Sequence, residues 1–315
     1  MGKIVFTGVD GHLVGIAANY ALELAGPNDK LIFSSPNLDG IPNETKERWT
    51  SKGAEVCFAS YDDVPSMEKV FKDADVVGFV STWMIGNIRR QQMRRAISVA
   101  KRVGAKRLCY TSCIGAGIEK DTPLVASDHR DTEQAIYETG LAWNIQRDNL
   151  YLDTYFWWFF PWIAKFCDNK WHWNSGGTPA SFVAREDCGR VYGALMMGKS
   201  EPNVVHDVTG PEMYSDYDLL KMACEHTGWK CEIVEITDEQ AYEYWGSLGL
   251  PRNSEGDFSK SPIPICCDDI VQNQRSTRLG IMSVSSDSVE RLTGRKPLSA
   301  KDVMLQYEEF LPRPA

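Results

Sequence analysis

Seven residues into the chain a short apolar run, Lys3-Ile4-Val5-Phe6-Thr7, gives way to Gly8-Val9-Asp10-Gly11, and a helical pattern starts at His12-Leu13. Gly8 permits a tight turn out of the strand, and Gly11 lets the backbone approach a diphosphate. The following helix directs its first N–H groups and its dipole at that anion. Two glycines at this spacing are weak evidence in isolation. Placed between a strand and a helix at the head of an alternating series, they predict dinucleotide binding. Val14 stands where a third glycine is usual, with Gly15 one step late. A carboxylate at Asp10 would repel a diphosphate, so a purely structural strand-to-helix turn is the competing reading.

The alternation that follows sets the fold class. Strand patterns over 30–34, 55–59, 75–80, 107–111 and 142–147 are short and fully apolar, and helical patterns fall at 13–24, 44–52, 64–71, 92–103 and 129–139. Such strands separated by helices imply a parallel sheet covered on both faces. The expectation is an α/β, Rossmann-type doubly wound parallel sheet with a smaller C-terminal α/β substrate lobe. Residues 1–150 would form the dinucleotide-binding domain and 151–315 mostly the substrate lobe, with some segments returning to the sheet. Past Arg147 the rhythm changes. Tyr151–Trp173 is dense in Tyr, Trp and Phe, helices are predicted at 185–197, 216–227, 239–248 and 300–310, and strands at 204–208 and 230–236. Residues 251–277, rich in Pro, Ser and Asp, read as loop.

Composition removes several classes. A formal charge of -9 over 315 residues argues against nucleic acid and anionic membrane surfaces as partners. The most apolar segment, 155–166, is too short to span a bilayer and contains Pro161 and Lys165. No targeting signal is visible, so a cytoplasmic location is expected. The nine cysteines are scattered, with no CxxC pair, and read as reduced thiols; only the vicinal Cys266-Cys267 invites a redox role. No metal site is predicted. At the end of the second strand, Phe33-Ser34-Ser35-Pro36-Asn37 offers neither the acid that binds a ribose 2′-hydroxyl nor the arginine that accepts a 2′-phosphate. The two hydroxyls favour NADPH over NADH by a small margin.

The chain resembles the NmrA-like, atypical short-chain dehydrogenase/reductases, and within them the type 2 NAD(P)H:quinone oxidoreductases, along nearly its whole length. Thr7-Gly8-x-x-Gly11 matches the family turn. Tyr110-Thr111-Ser112 follows the fifth strand, and Asp128-His129-x-x-Thr132-Glu133 opens a helix. Leu141–Tyr155, with Arg147 and Tyr151, matches a further segment, and Val208-Thr209-Gly210 and Gly249-Leu250-Pro251 continue the match. Three departures stand out. The family arginine after the second strand is absent, Asp148-Asn149 replaces Asn-Gly, and insertions near 155–175 lengthen the aromatic segment.

Standard members of the wider family use a Tyr-x-x-x-Lys pair for proton transfer. Here Val125 and His129 occupy those places, so the pair is missing. His129 and Ser112 are the candidate catalytic residues. His129 would donate to the nicotinamide ribose or amide or protonate the product, with a surface histidine beside Asp128 as the bland alternative. Ser112 would otherwise be a turn residue. The expected cofactor set is Thr7, Gly8, Asp10, Gly11, His12, Leu13, Ser34, Ser35, Tyr61, Asp62, Ser81, Thr82, Trp83, Thr111, Ser112, His129, Arg147 and Asn149. Trp83, Tyr151, Tyr155, Trp158 and Trp173 are the expected substrate contacts, since rigid aromatic faces suit planar ligands. Arg185-x-Asp187 reads as a structural ion pair. The resemblance implies an NAD(P)H-dependent oxidoreductase, monomeric or homodimeric, that passes hydride to a planar conjugated acceptor: a quinone, enone, azo compound or aryl ketone. A catalytically silent NAD(P)-sensing protein is the alternative, motivated by the missing Tyr–Lys pair.

Overall fold

Ile4, Val5 and Phe6 are buried on both faces of β1 (Lys3–Thr7), and the same continuous apolarity recurs in the strands beside it. A strand of this kind is stable only inside a sheet sandwiched by helices. The computed structural model describes residues 2–120, 122–263 and 265–314. In chain order the front half runs β1, α1 (His12–Leu24), β2 (Lys30–Ser35), α2 (Asn43–Ser51), β3 (Glu55–Phe58), α3 (Val64–Phe71), β4 (Val76–Val80), α4 (Asn87–Arg102), β5 (Arg107–Cys113), α5 (Leu124–Glu138) and β6 (Ala142–Asp148). A π-helical turn, Thr154–Phe159, then leads into α6 (Phe160–Phe166), β7 (Lys170–Trp173), α7 (Arg185–Met196) and β8 (Val204–Val208). The remainder is α8 (Asp216–Thr227), β9 (Glu232–Glu235), α9 (Asp238–Ser247), α10 (Cys267–Arg278), α11 (Ser288–Thr293) and α12 (Ala300–Gln306).

Seven strands form one sheet in the order β3-β2-β1-β4-β5-β6-β8, with every neighbouring pair parallel. The strand order reverses between β1 and β4, and that reversal opens a crevice at the strand C-termini, where α/β proteins take ligands. One face of the sheet is covered by α1 and α7 through Val14, Ala17, Val191, Tyr192, Leu195 and Met196. The other is covered by α3, α4 and α5 through Met67, Phe71, Met93, Ala96 and Ile136. A second core, rich in Phe160, Trp171, Trp173 and Trp245, lies under the C-terminal lobe, whose small sheet pairs β7 with β9 in parallel. Ser215, Thr237 and Ser299 begin α8, α9 and α12 with reciprocal capping boxes, so these three starts are written locally in the sequence. No helix among the described residues is long and apolar enough to cross a membrane.

Among the elements that depart from the sequence-based expectation, three α-helices bear on the site. The stretch expected as loop to residue 277 ends in α10, whose aspartates at 268 and 269 and arginines at 275 and 278 match the helix dipole. Its N-cap, Cys266, makes no side-chain capping bond, which removes the usual start signal. Helix α4 begins five residues before the expected 92, at Asn87 behind Gly86, and α5 begins at Leu124 rather than 129. The early starts bring Arg89 and Asp128 into ordered helix.

Candidate functional site

At the end of β1, Gly8 adopts φ +70°, and a β-carbon there would lie 2.7 Å from Val80 Cγ1. The Gly11 N–H closes the turn on the Gly8 carbonyl at 3.0 Å. Gly11 is also the N-cap of α1, where no side chain caps the helix and no acidic residue sits in the first turn. The first N–H groups of an uncapped helix are orphan donors, so the turn fits a diphosphate. The Asp10 carboxylate accepts from Ser35 Oγ at 2.7 Å, which ties it to the end of β2.

From this turn a cavity of about 910 Å³ extends across the C-terminal ends of β4, β5 and β6 to the aromatic segment. The volume is near the upper end for small-molecule sites, roughly 300–1,000 Å³. Its walls include Thr7, Gly8, Asp10, Gly11, His12, Leu13, Tyr61, Asp62, Ser81, Thr82, Trp83, Thr111, Ser112, His129, Asn149, Tyr151, Tyr155 and Trp158. These come from seven separate chain segments, and the parallel sheet is what brings them to one crevice. Many are fixed by their neighbours. Thr7 Oγ1 bonds the Gly78 carbonyl and the Tyr61 hydroxyl. Asp62 takes Gln92 and Arg95, and Gln92 in turn accepts from Thr82. Asn149 donates to the Met282 carbonyl. The π-helical turn supplies Thr154, Tyr155, Trp157, Trp158 and Phe159, and Trp157 lies beside His12 with ring centroids 6.1 Å apart. Turns of this kind collect at functional sites.

Four expected site residues lie outside the cavity walls. Ser34 is fully buried and spends its hydroxyl on the Phe6 carbonyl. Ser35 bears on the cavity only through Asp10. Arg147 turns to Glu133, which it grips with Nε and Nη2 at 2.9 and 2.6 Å. Trp173 is 0% exposed in the lobe core, where its indole N–H bonds Asp216. Arg185, read from sequence as an ion pair with Asp187, makes a different contact. Asp187 pairs with Arg190, while Arg185 lies over the Tyr151 ring at 4.7 Å and lines the cavity.

Ser112 donates to Glu133 at 2.6 Å, so its hydroxyl proton is already committed. His129 is buried and its Nδ1 lies 2.7 Å from the Tyr110 hydroxyl. Burial, reinforced by the charge of Arg89, lowers the imidazole pKa to about 3. His129 is therefore neutral at physiological pH. It fits a hydrogen-bonding role toward a ligand and does not fit delivery of a proton from imidazolium.

Several cavity residues carried no signal strong enough to be chosen from sequence. Arg89 and Gln92 fell before or at the expected start of α4, and Asp269, Ile270, Asn273 and Gln274 lay on the segment read as loop. Asp148 was noticed only as a departure from the family. Its carboxyl accepts from Tyr151 Oη at 3.0 Å and Gln146 Nε2 at 2.8 Å, and burial raises its pKa to about 7. A carboxyl with a folded pKa above its unfolded value binds more protons when folded. Its contribution is fully present below the unfolded pKa and is lost as pH rises through the folded one. Asp148→Asn should therefore flatten the fall in thermal midpoint between about pH 4 and 7. Parallel wild-type and variant curves in that window would contradict the assignment.

A sequence profile of the family described as NAD(P)H-binding matches residues 42–154. An NmrA-like family domain-containing oxidoreductase of Aspergillus flavus is 21% identical over 310 residues, spanning 96% of this chain and 94% of that one. An NAD(P)H azoreductase of Xenophilus azovorans is 24% identical over 164 residues, 51% of this chain and 56% of that protein. Among solved structures, an NADPH-dependent quinone oxidoreductase of Escherichia coli in complex with NADPH superposes with a TM-score of 0.79 at 17% identity, covering 98% of this chain and 100% of that one. Triphenylmethane reductase of a Citrobacter species, complexed with NADP(H), gives 0.76 at 19% identity over the same shares.

Proposed function

We propose that this chain is an NAD(P)H-dependent reductase that passes hydride to a planar conjugated acceptor. The observation that carries the reading is the continuity of one cavity, which runs from a glycine turn suited to diphosphate into a wall of aromatic rings. The relatives support it. By name they act on quinones, azo compounds and triphenylmethane dyes, all of them conjugated electron acceptors.

The dinucleotide, when bound, supplies hydride from nicotinamide C4. The backbone of Gly8–Leu13 would hold its diphosphate, with Arg185 as a nearby cation. Thr111, Ser112 and His129, at and beside the end of β5, would border its nicotinamide half. Tyr155, Trp158 and Phe159 would orient the acceptor face-on and exclude water. Reduction of a carbonyl acceptor leaves an oxygen that needs a proton. Asp148, hydrogen-bonded to Tyr151, is a cavity carboxyl able to hold one at neutral pH.

The test is oxidation of NADH and NADPH by purified protein against naphthoquinones, azo dyes and triphenylmethane dyes. Acceptor-dependent turnover, at least ten times the rate with acceptor omitted, is expected. A protein that binds dinucleotide tightly and never oxidises it across that panel would instead be a sensor, the reading favoured by Val125 in place of the usual tyrosine.

A further inference from the structure

We propose that Arg89 anchors an oxyanion-bearing planar ligand, an aromatic carboxylate or phenolate, at the polar end of the cavity. The inference rests on the reading of the aromatic half of that cavity as the acceptor site, and names the class of acceptor.

Arg89 occupies the first turn of α4 and is 5% exposed. Its Nη2 reaches the Trp83 carbonyl at 3.3 Å, while Nε and Nη1 have no hydrogen-bond partner among the described residues. A buried guanidinium with two unpartnered nitrogens is costly, because the desolvation penalty of a charged group is not returned. The nearby carboxylates make no hydrogen bond to it, although Asp269 lies close enough to feel its charge. Asp128 is taken by the Gly86 N–H and by Arg90 Nε, both at 2.6 Å. Asp269 accepts from Asn273 and makes no ion pair with Arg89 within 4 Å.

The missing acceptor must then come from outside the chain. Arg89 lines the same cavity as Tyr155, Trp158 and Phe159. A ligand that spans both regions is flat and apolar over most of its length and carries an oxygen anion at one end. The same placement would stabilise negative charge developing on a carbonyl oxygen as hydride arrives.

The experiment is calorimetric titration of the full chain, with and without saturating NADP⁺, using 2-naphthoate and its neutral analogue naphthalene-2-carboxamide. Wild type should bind the carboxylate about 10- to 100-fold more tightly, the range of a hydrogen bond to a charged group. Arg89→Met should erase that preference and Arg89→Lys should keep part of it. NADP⁺ affinity should change less than threefold in both. Equal affinities of wild type for the two probes overturn the proposal without need of any variant, since solvent then satisfies the arginine. Loss of NADP⁺ affinity in Arg89→Met equal to the loss for naphthoate also overturns it, because the residue would then serve the dinucleotide. A preference for naphthoate in a protein that never oxidises NADPH would remove the reductase reading and leave this one standing.

Discussion

Gly8→Val should raise the Kd for NADH and NADPH at least 100-fold, roughly 2.7 kcal/mol or more, while leaving the helical content unchanged. At φ +70° a β-branched residue is a strong outlier, and its β-carbon would press on Val80 Cγ1 at 2.7 Å. The strain alone is about 1–3 kcal/mol. It can be relieved only by opening the turn that presents the α1 donors, so the cost falls mainly on the ligand. Gly11→Ala is the internal comparison. Its β-carbon would meet the Gly8 carbonyl at 3.3 Å with nothing nearer, and a smaller loss is expected. Calorimetric titration measures both. A Kd for Gly8→Val within threefold of wild type would mean that the turn does not hold the cofactor.

The second large effect separates rings that face the cavity from rings that hold the lobe together. Trp173→Ala should destabilise the fold by about 3–5 kcal/mol, the range for emptying a large buried aromatic site. The loss also strips Asp216, buried and raised to about 6 by desolvation, of its indole partner. Trp173→Phe keeps one aromatic ring but loses the N–H and part of the indole volume, so about 1–3 kcal/mol is expected. Trp158→Ala should instead leave stability within about 1 kcal/mol and raise KM for the acceptor several-fold. Urea titration and steady-state kinetics on the three variants read the two quantities apart. A Trp173→Ala protein as stable as wild type would mean that the lobe is not built on this ring.

This contrast marks where sequence reading stops. The glycine turn and the front strands were legible because each depends on local chemistry: a conformation only glycine accepts readily, or an apolar run that must be covered. Trp158 and Trp173 look alike in sequence, both aromatic and both in one dense stretch. What separates them is that β7 pairs with β9, more than fifty residues away, and this pairing seals Trp173 into a core. The same reason hid Asp269 and Gln274, which reach the cavity on a helix that begins without a side-chain cap and follows a proline-rich stretch. Arg147, expected at the cofactor, pairs with Glu133 off the cavity wall, and Arg185, expected to pair with Asp187, lies over Tyr151 on that wall. An arginine's partner is set by tertiary neighbours such as Glu133 or Tyr151, and spacing along the chain does not report it.

The π-helical turn at Thr154–Phe159 makes the aromatic wall sensitive to length. An α-helical turn advances each side chain by about 100°, so deleting one residue there would convert the wide turn into a regular one. The rings beyond it would then swing by about that angle. Substrate range in proteins of this build can therefore drift through exchange of individual rings, whereas gain or loss of a residue in this turn would replace the whole wall in a single step.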